Sequence, residues 1–314
     1  VKLIRNLDDF SDDLRGAAVT IGNFDGVHRG HARLVKSLRK LADEIGGPAV
    51  VFTFDPHPAW ILRPDAAPQP LIWNERKAEI LAELGADAVV IYPADRAFLE
   101  LESRQFFQRI VLDKLAAKGM VEGPNFFFGH NRAGTLEVLK GFCAHSKVRL
   151  VVAEPVEVDG QVVSSSKIRA LIIQGRMAQA RQMLGRPYRI RGLVVRGAGR
   201  GAKLGFPTAN ITAIDTLLPP DGIYAGRAWV DQSAYAAAIS LGSNPTFDET
   251  ALKVEAFLLD FQGDLYDRTL QIDFFARLRE TTRFDSVRAL TDQMALDAAA
   301  ARSIAAQSEN EIIE

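Results

Sequence analysis

At 314 residues, 47% of them hydrophobic and 25% charged, the chain has the composition of a folded globular protein with enough core for about two domains. Its formal net charge of -1 excludes a strong bulk field for nucleic acid or anionic membrane. A lone cysteine, Cys143, excludes an intramolecular disulfide. No apolar leader and no membrane-length apolar run occurs, so a cytoplasmic protein is expected.

From residue 17 to about 156 the pattern alternates strand and helix. Apolar runs at 17–22, 48–54, 86–92, 119–122 and 148–156 read as strands. Runs at 31–45, 75–84, 103–117, 135–145 and 165–184 read as helices. Ser103 is placed to cap its helix, and Gly46, Gly85 and Gly119 stand where C-cap glycines belong. Continuous apolar strands joined by helices predict a mainly parallel sheet covered on both faces, with ligands beyond the C-terminal strand ends.

Four segments of this half lie where that rule wants a site. The first is Gly22-Asn23-Phe24-Asp25-Gly26-Val27-His28-Arg29-Gly30-His31, a Gly-rich turn between a strand and a helix N-terminus. Backbone N–H groups, the helix dipole and two imidazoles suit phosphate there, although an H-x-x-H pair is also a common structural feature. The second is Phe54-Asp55-Pro56-His57-Pro58, whose histidine reads as structural. The third is Gly123-Pro124-Asn125-Phe126-Phe127-Phe128-Gly129-His130, whose aromatics are either core or the wall of a planar-ring pocket. The fourth is Ser164-Ser165-Ser166-Lys167-Ile168-Arg169. Its hydroxyls cap a helix, or they bind phosphate together with Arg169.

After Gly185-Arg186-Pro187 the texture changes, and a domain boundary is placed between 186 and 187. Residues 1–186 carry a small excess of basic groups and 187–314 a small excess of acidic ones. Short strands at 188–196, 223–230, 235–241, 253–261 and 265–276, then one helix at 286–307, predict a closed β-barrel with a terminal helix. The glycines between Arg196 and Gly205 allow the backbone to wrap an anion, and Lys203 adds charge. Thr208 and Asn210, two apart, supply neutral oxygens to one side of a strand, a donor set suited to Mg²⁺ with its waters and phosphates. A Gly-rich hairpin turn is the plainer alternative. Glu255 stands in the apolar run Val254 to Phe261 and is therefore paired, solvent-facing or functional.

Taken together, these segments resemble the prokaryotic bifunctional riboflavin kinase and FMN adenylyltransferase, or FAD synthetase, family over nearly the whole chain. Leu204-Gly205-Phe206-Pro207-Thr208-Ala209-Asn210 is the most specific match, supported by Gly222-Ile223-Tyr224-Ala225-Gly226 and Asn244-Pro245-Thr246-Phe247. The resemblance implies a nucleotidyltransferase-like α/β domain at 1–186, making FAD and pyrophosphate from FMN and ATP. It implies a kinase barrel at 187–314, making FMN and ADP from riboflavin and ATP.

By the same resemblance, His28 and His31 hold ATP phosphates, and Gly22, Phe24, Asp25 and Gly30 belong to that loop. Ser165, Ser166 and Arg169 hold the departing pyrophosphate, while Phe54 and Asn125 line the nucleotide or flavin pocket. In the barrel, Lys203, Gly205, Phe206 and Asn244 belong to the binding segments. Thr208 and Asn210 hold Mg²⁺ and ATP, and Glu255 takes the proton from the riboflavin 5′-hydroxyl. Two positions depart from the family pattern: Ala202 where a basic residue is common, and Asp267 where glycine is usual. The expected partners are the small-molecule substrates, with no nucleic acid and no membrane. The rival readings are an adenylyltransferase with a degenerate barrel, and a barrel that binds nucleic acid or senses flavin.

Overall fold

In a computed structural model, residues 1–244 and 249–310 are described, with side chains described through residue 242 and from 253 to 308. The chain divides into two compact units, Val1–Val163 and Ser164–Glu314.

The first unit holds one parallel sheet. Its strands are β1 (Lys2–Ile4), β2 (Ala18–Ile21), β3 (Ala49–Phe54), β4 (Ala88–Tyr92), β5 (Gly119–Glu122) and β6 (Arg149–Val152), in the order β1-β4-β3-β2-β5-β6. The five sequence-predicted strands are present; β1, three residues long, is too short for any periodicity to reveal. Successive side chains point to opposite faces, so each strand feeds two cores. Val19, Ile21, Val50, Phe52 and Val90 join one cluster with Phe98, Phe106 and Leu139. Ala18, Val51, Val89 and Ile91 join the other with Leu38, Leu41 and Leu81.

The connecting helices are α1 (Arg29–Ile45), α2 (Pro58–Leu62), α3 (Asn74–Glu83), α4 (Arg96–Leu99), α5 (Ser103–Phe106) and α6 (Leu136–Ser146). The amphipathic α1 buries Val35, Leu38, Leu41 and Ala42 and ends at Gly46, which takes a left-handed φ of 65°. The helix expected over 103–117 is a single α turn that runs into a π-helix at Phe107–Lys114. Its cap is Glu102, whose N–H is met by Gln105 at 3.2 Å, and not Ser103. Gly119 opens β5 rather than closing a helix; a Cβ there would lie 2.8 Å from Leu41, so it admits α1 to the sheet. A short antiparallel pair, β7 (Glu157–Val158) and β8 (Gln161–Val162), ends the unit.

The second unit begins with α7 (Ser165–Ile173) and α8 (Met177–Leu184). One helix was expected here, but Gly175, at φ 71°, breaks it. Then come β9 (Tyr188–Val195), α9 (Arg200–Lys203), β10 (Ala209–Thr212), β11 (Gly222–Val230), β12 (Ser233–Asn244), β13 (Glu249–Leu258), β14 (Thr269–Arg279) and α10 (Val287–Asn310). The six strands close as β10-β13-β12-β11-β14-β9, every pair antiparallel.

Alternate residues such as Tyr188, Ile190, Tyr224, Ile239, Ile272 and Phe274 are fully buried and fill the barrel as a solid core. The two tyrosine hydroxyls donate to the carbonyls of Leu217 and Pro220, each at 2.6 Å, so neither is buried without a partner. On the outer surface α8 packs on β14 and β9, burying Met177, Ala180, Met183 and Leu184. Asp267, the departure from glycine, sits at φ 58°, a left-handed conformation that aspartate tolerates better than most residues.

Candidate active sites

In the first unit the turn from β2 to α1 is held open by its own side chains. Phe24 and Val27 take left-handed φ values of 46° and 37° and bury their side chains among the residues under α1. That burial offsets a backbone cost of about 1–3 kcal/mol per residue. His28 is the N-cap of α1, and its Nδ1 accepts the N–H of His31 at 3.3 Å. In the neutral ring the proton therefore sits on Nε2, which makes that nitrogen a donor.

The His31 ring stacks on His28 at 3.7 Å and 14°, and the Phe24 ring lies 5.0 Å from that of His31. A Cβ at residue 30 would lie 3.1 Å from the His28 ring, so glycine keeps the stack uncrowded. Asp25 is buried and accepts the Leu71 N–H at 2.9 Å. The carbonyl of Asn23 accepts from Thr53 Oγ1 at 3.0 Å and from the buried Lys77 Nζ at 3.2 Å. Glu122, at the end of β5, accepts the Ile21 N–H at 2.9 Å, where the β2–β5 ladder has already stopped. Burial pushes its carboxyl well above the usual carboxylate range.

The three consecutive phenylalanines divide. Phe128 is core, Phe126 is half-buried, and Phe127 is exposed beneath the Arg132 guanidinium, 4.4 Å away. Phe54, Phe98, Phe106, Phe128 and Phe126 form a continuous chain of ring contacts, each between 5.5 and 5.8 Å. Its two ends, Phe54 and Phe126, are the partly open rings, and Asn125, next to Phe126 in the chain, is exposed. His57 caps α2 by accepting the Ala59 N–H at 3.0 Å, the structural role its flanking prolines suggest.

In the second unit Ser164 caps α7, its Oγ accepting the Lys167 N–H at 3.3 Å. Ser165 and Ser166 are the first helical residues, and Arg169 lies one turn on, half-buried.

The barrel carries a cavity of about 160 Å³ on its outer surface. Register explains its floor. Asn210 on β10 pairs with Glu255 on β13, Glu255 with Ser240 on β12, Ser240 with Ile223 on β11, and Ile223 with Arg279 on β14. This row crosses five strands and all of it lines the cavity. Thr208, two residues before Asn210, joins it, and the Gly-rich loop and Phe206 form a wall. A Cβ at Gly197 would lie 2.2 Å from the Asn210 amide, and one at Gly201 would lie 3.3 Å from Thr208 Oγ1. The loop backbone therefore lies directly on these two side chains. Arg279 is tied to Asp297 of α10, Nη2 to Oδ2 at 2.8 Å.

Sequence reading passed over Ser240, Lys253, Arg200 and Arg279, all of which line the cavity. Lys203 is exposed, and the loop cation facing the cavity is Arg200. Asn244 ends β12 with its side chain outside the described residues, as are residues 245–247 of its motif.

The donor set fits a hard cation. Thr208 and Asn210 offer oxygens beside a glycine cradle, and among the described residues no group of three His, Cys, Asp or Glu side chains gathers as a metal site. Such an arrangement suits an ion that keeps waters and takes phosphate oxygens.

Residues 10–167 match a family described as FAD synthetase, and residues 184–305 one described as riboflavin kinase. The chain is 36% identical to the bifunctional riboflavin kinase/FMN adenylyltransferase of Pseudomonas fluorescens, over 98% of this chain and 99% of that one. It belongs to that bifunctional family. The Escherichia coli K12 relative, of the same description, is 32% identical over 96% of this chain and 97% of that one. A solved structure described as a macrolide-efflux protein of Streptococcus pneumoniae superposes with a TM-score of 0.85, at 31% identity and covering 96% and 98% of the two chains. That description concerns the other protein; among the described residues of this family member no helix is long and apolar enough to cross a membrane.

Proposed function

We propose that this chain makes both flavin cofactors, phosphorylating riboflavin on the barrel and adenylylating FMN in the α/β unit. The observation that carries the reading is the Asn210–Glu255–Ser240 row, with Thr208 beside it, under a loop whose glycines leave room for phosphates. The rival reading of a degenerate barrel has no support in this intact row. The functional boundary is proposed at 186/187, between the end of one family match at 167 and strand β9 after the start of the other at 184.

On the barrel, Glu255 accepts the proton of the riboflavin 5′-hydroxyl as that oxygen bonds to the ATP γ-phosphorus and ADP leaves. Thr208 and Asn210 would hold Mg²⁺, which when bound supplies positive charge to the phosphates. Arg200 and Lys253 add fixed charge to the same walls. In the α/β unit an FMN phosphate oxygen attacks the ATP α-phosphorus and pyrophosphate leaves. The Nε2–H of His28 and the imidazole of His31 stabilise charge on the phosphates, and Ser165, Ser166 and Arg169 bind the pyrophosphate. The Phe54 and Phe126 rings give a planar ligand a surface. Gly22, Phe24, Asp25 and Gly30 shape the loop, and Gly205 and Phe206 shape the barrel wall. We place the protein in the cytoplasm with its small-molecule substrates, and without nucleic acid or membrane partners.

A crossed pair of variants tests this. With riboflavin, ATP and Mg²⁺, the wild type should accumulate FMN and then FAD. His28→Ala should stop at FMN, with adenylylation down by about 10²–10³-fold. Glu255→Gln should lose about 10²–10⁴-fold of phosphorylation and still convert supplied FMN to FAD. Loss of both reactions in either folded variant refutes the assignment of one reaction to each site.

A further inference from the structure

We infer that Lys77 is a positioning residue of the adenylyl-transfer site: its buried ammonium holds the Asn23 carbonyl, balances Asp25, and so fixes the loop that carries His28 and His31. The inference rests on the reading of the α/β unit given above.

Lys77 lies on the inward face of α3, beside Ala78, Ile80 and Leu81, and is 5% exposed. An ammonium there forfeits its hydration and needs specific partners. It has one at Asn23, whose carbonyl is gripped from two sides, by Lys77 Nζ at 3.2 Å and Thr53 Oγ1 at 3.0 Å. It has a second in the negative charge of Asp25, itself tied to the Leu71 N–H at 2.9 Å. Asn23 and Asp25 flank Phe24, a residue with left-handed φ, and Val27 with a second lies just before His28. A turn with two such residues relaxes unless its surroundings hold it, and a shift of about 1 Å at a positioning group costs about a hundredfold in rate.

The charged groups facing Lys77 are Asp25 from the loop and Asp55 from beyond β3. On its own helix Glu75 pairs with Arg5 at 3.2 Å, and Arg76 with Glu79 at 3.0 Å. Burial pushes the Lys77 ammonium below the usual lysine range, against the opposing pull of the two carboxylates. Raising the pH then discharges Lys77 in the folded protein while the unfolded chain still holds the proton. The unfolded state binds more protons there, so the Lys77 contribution to global stability rises with pH. The loop meanwhile loses its counter-charge. Adenylylation should fall while the fold does not loosen on this account, a combination that a merely structural lysine does not produce.

The barrel reaction in the same full-length chain is the internal control. Rates of FAD formation from FMN and ATP, and of FMN formation from riboflavin and ATP, are measured from about pH 7 to about pH 10 with thermal unfolding alongside. The wild type should show an alkaline fall in adenylylation that phosphorylation lacks. Lys77→Met should lower adenylylation kcat by about tenfold or more and abolish that fall, leaving phosphorylation within about twofold. Lys77→Arg, which keeps the charge, should move the fall to higher pH. Adenylylation by Lys77→Met within about threefold of wild type, or an unchanged alkaline fall in it, overturns the inference. Should Lys77→Met fail to fold, the other profiles decide: no alkaline fall in the wild type, or the same fall in Lys77→Arg, overturns it. A wild type that makes no FAD refutes the assigned reaction instead.

Discussion

Replacing Gly197 by alanine should cut riboflavin phosphorylation by about a hundredfold and leave adenylylation unchanged. A Cβ at this position lies 2.2 Å from Asn210 Nδ2, 2.6 Å from its Cγ and 2.7 Å from its Oδ1. Ordinary van der Waals contact begins at 3.4 Å. The amide, or the loop above it, must therefore retreat by roughly 1 Å, and a misplacement of that size costs about 10²-fold. Gly197 is not among the glycines with left-handed φ, so the methyl adds contact without backbone strain. Overpacking of this kind costs about 1–3 kcal/mol, which a domain with an intact barrel core survives. The assay is the initial rate of FMN formation at saturating riboflavin across ATP and Mg²⁺ concentrations, with FAD formation from FMN in the same preparation as control. A folded Gly197→Ala protein that phosphorylates riboflavin within about threefold of wild type refutes the argument that Asn210 must stay where this loop places it.

Two further predictions come from the cores. The folded-state pKa of Glu122 is raised above its unfolded value, so its favourable contribution is complete below the unfolded value and is lost as pH rises toward the folded one. Glu122→Gln keeps an acceptor for the Ile21 N–H and removes the ionisation. It should melt higher than wild type at neutral pH and close to it at about pH 4, and the same difference at both pH values contradicts this. For the barrel, a fragment of residues 164–314 should melt higher than one of 187–314, by roughly 5 °C or more. The longer fragment keeps Met177, Met183 and Leu184 of α8 over β9 and β14, each worth up to about 1.5–3 kcal/mol. Equal midpoints would show that α8 adds nothing to the barrel.

How much of this was legible in the sequence depends on the distance over which each feature is encoded. The β2 strand, the α1 stripe and the His28/His31 pair occupy one continuous stretch, and their arrangement follows from local geometry. Thr208 and Asn210 were readable as same-side residues because a strand alternates. Ser240 and Lys253 were not, since nothing in a sequence states that Ser240 stands opposite Glu255; only the closed register does. Lys77 broke the apolar face of α3 and Glu122 broke the apolar run of β5. Neither was picked out from the sequence, because the partners that explain them, Asn23, Asp25 and Ile21, lie 54, 52 and 101 positions away. The π-helix after Phe106 and the break at Gly175 escaped because an apolar stripe at helical spacing does not reveal where its hydrogen bonds slip.

The row of side chains on the barrel floor also bears on how the chain acquires its functions as it folds. The cavity draws on residues from Ala198 to Asp297, and its floor is continuous only when neighbouring strands have found their register. Closing such non-local pairings is the slow part of folding an antiparallel barrel. A half-formed barrel holds no partial version of this site, because Asn210, Glu255 and Ser240 come from three different strands. By contrast, the His28 cap and the His31 stack lie within four consecutive residues and need only the first turn of one helix. During refolding, riboflavin phosphorylation therefore returns only once β10, β13 and β12 have paired in register, which makes the kinase reaction a built-in reporter of long-range strand pairing.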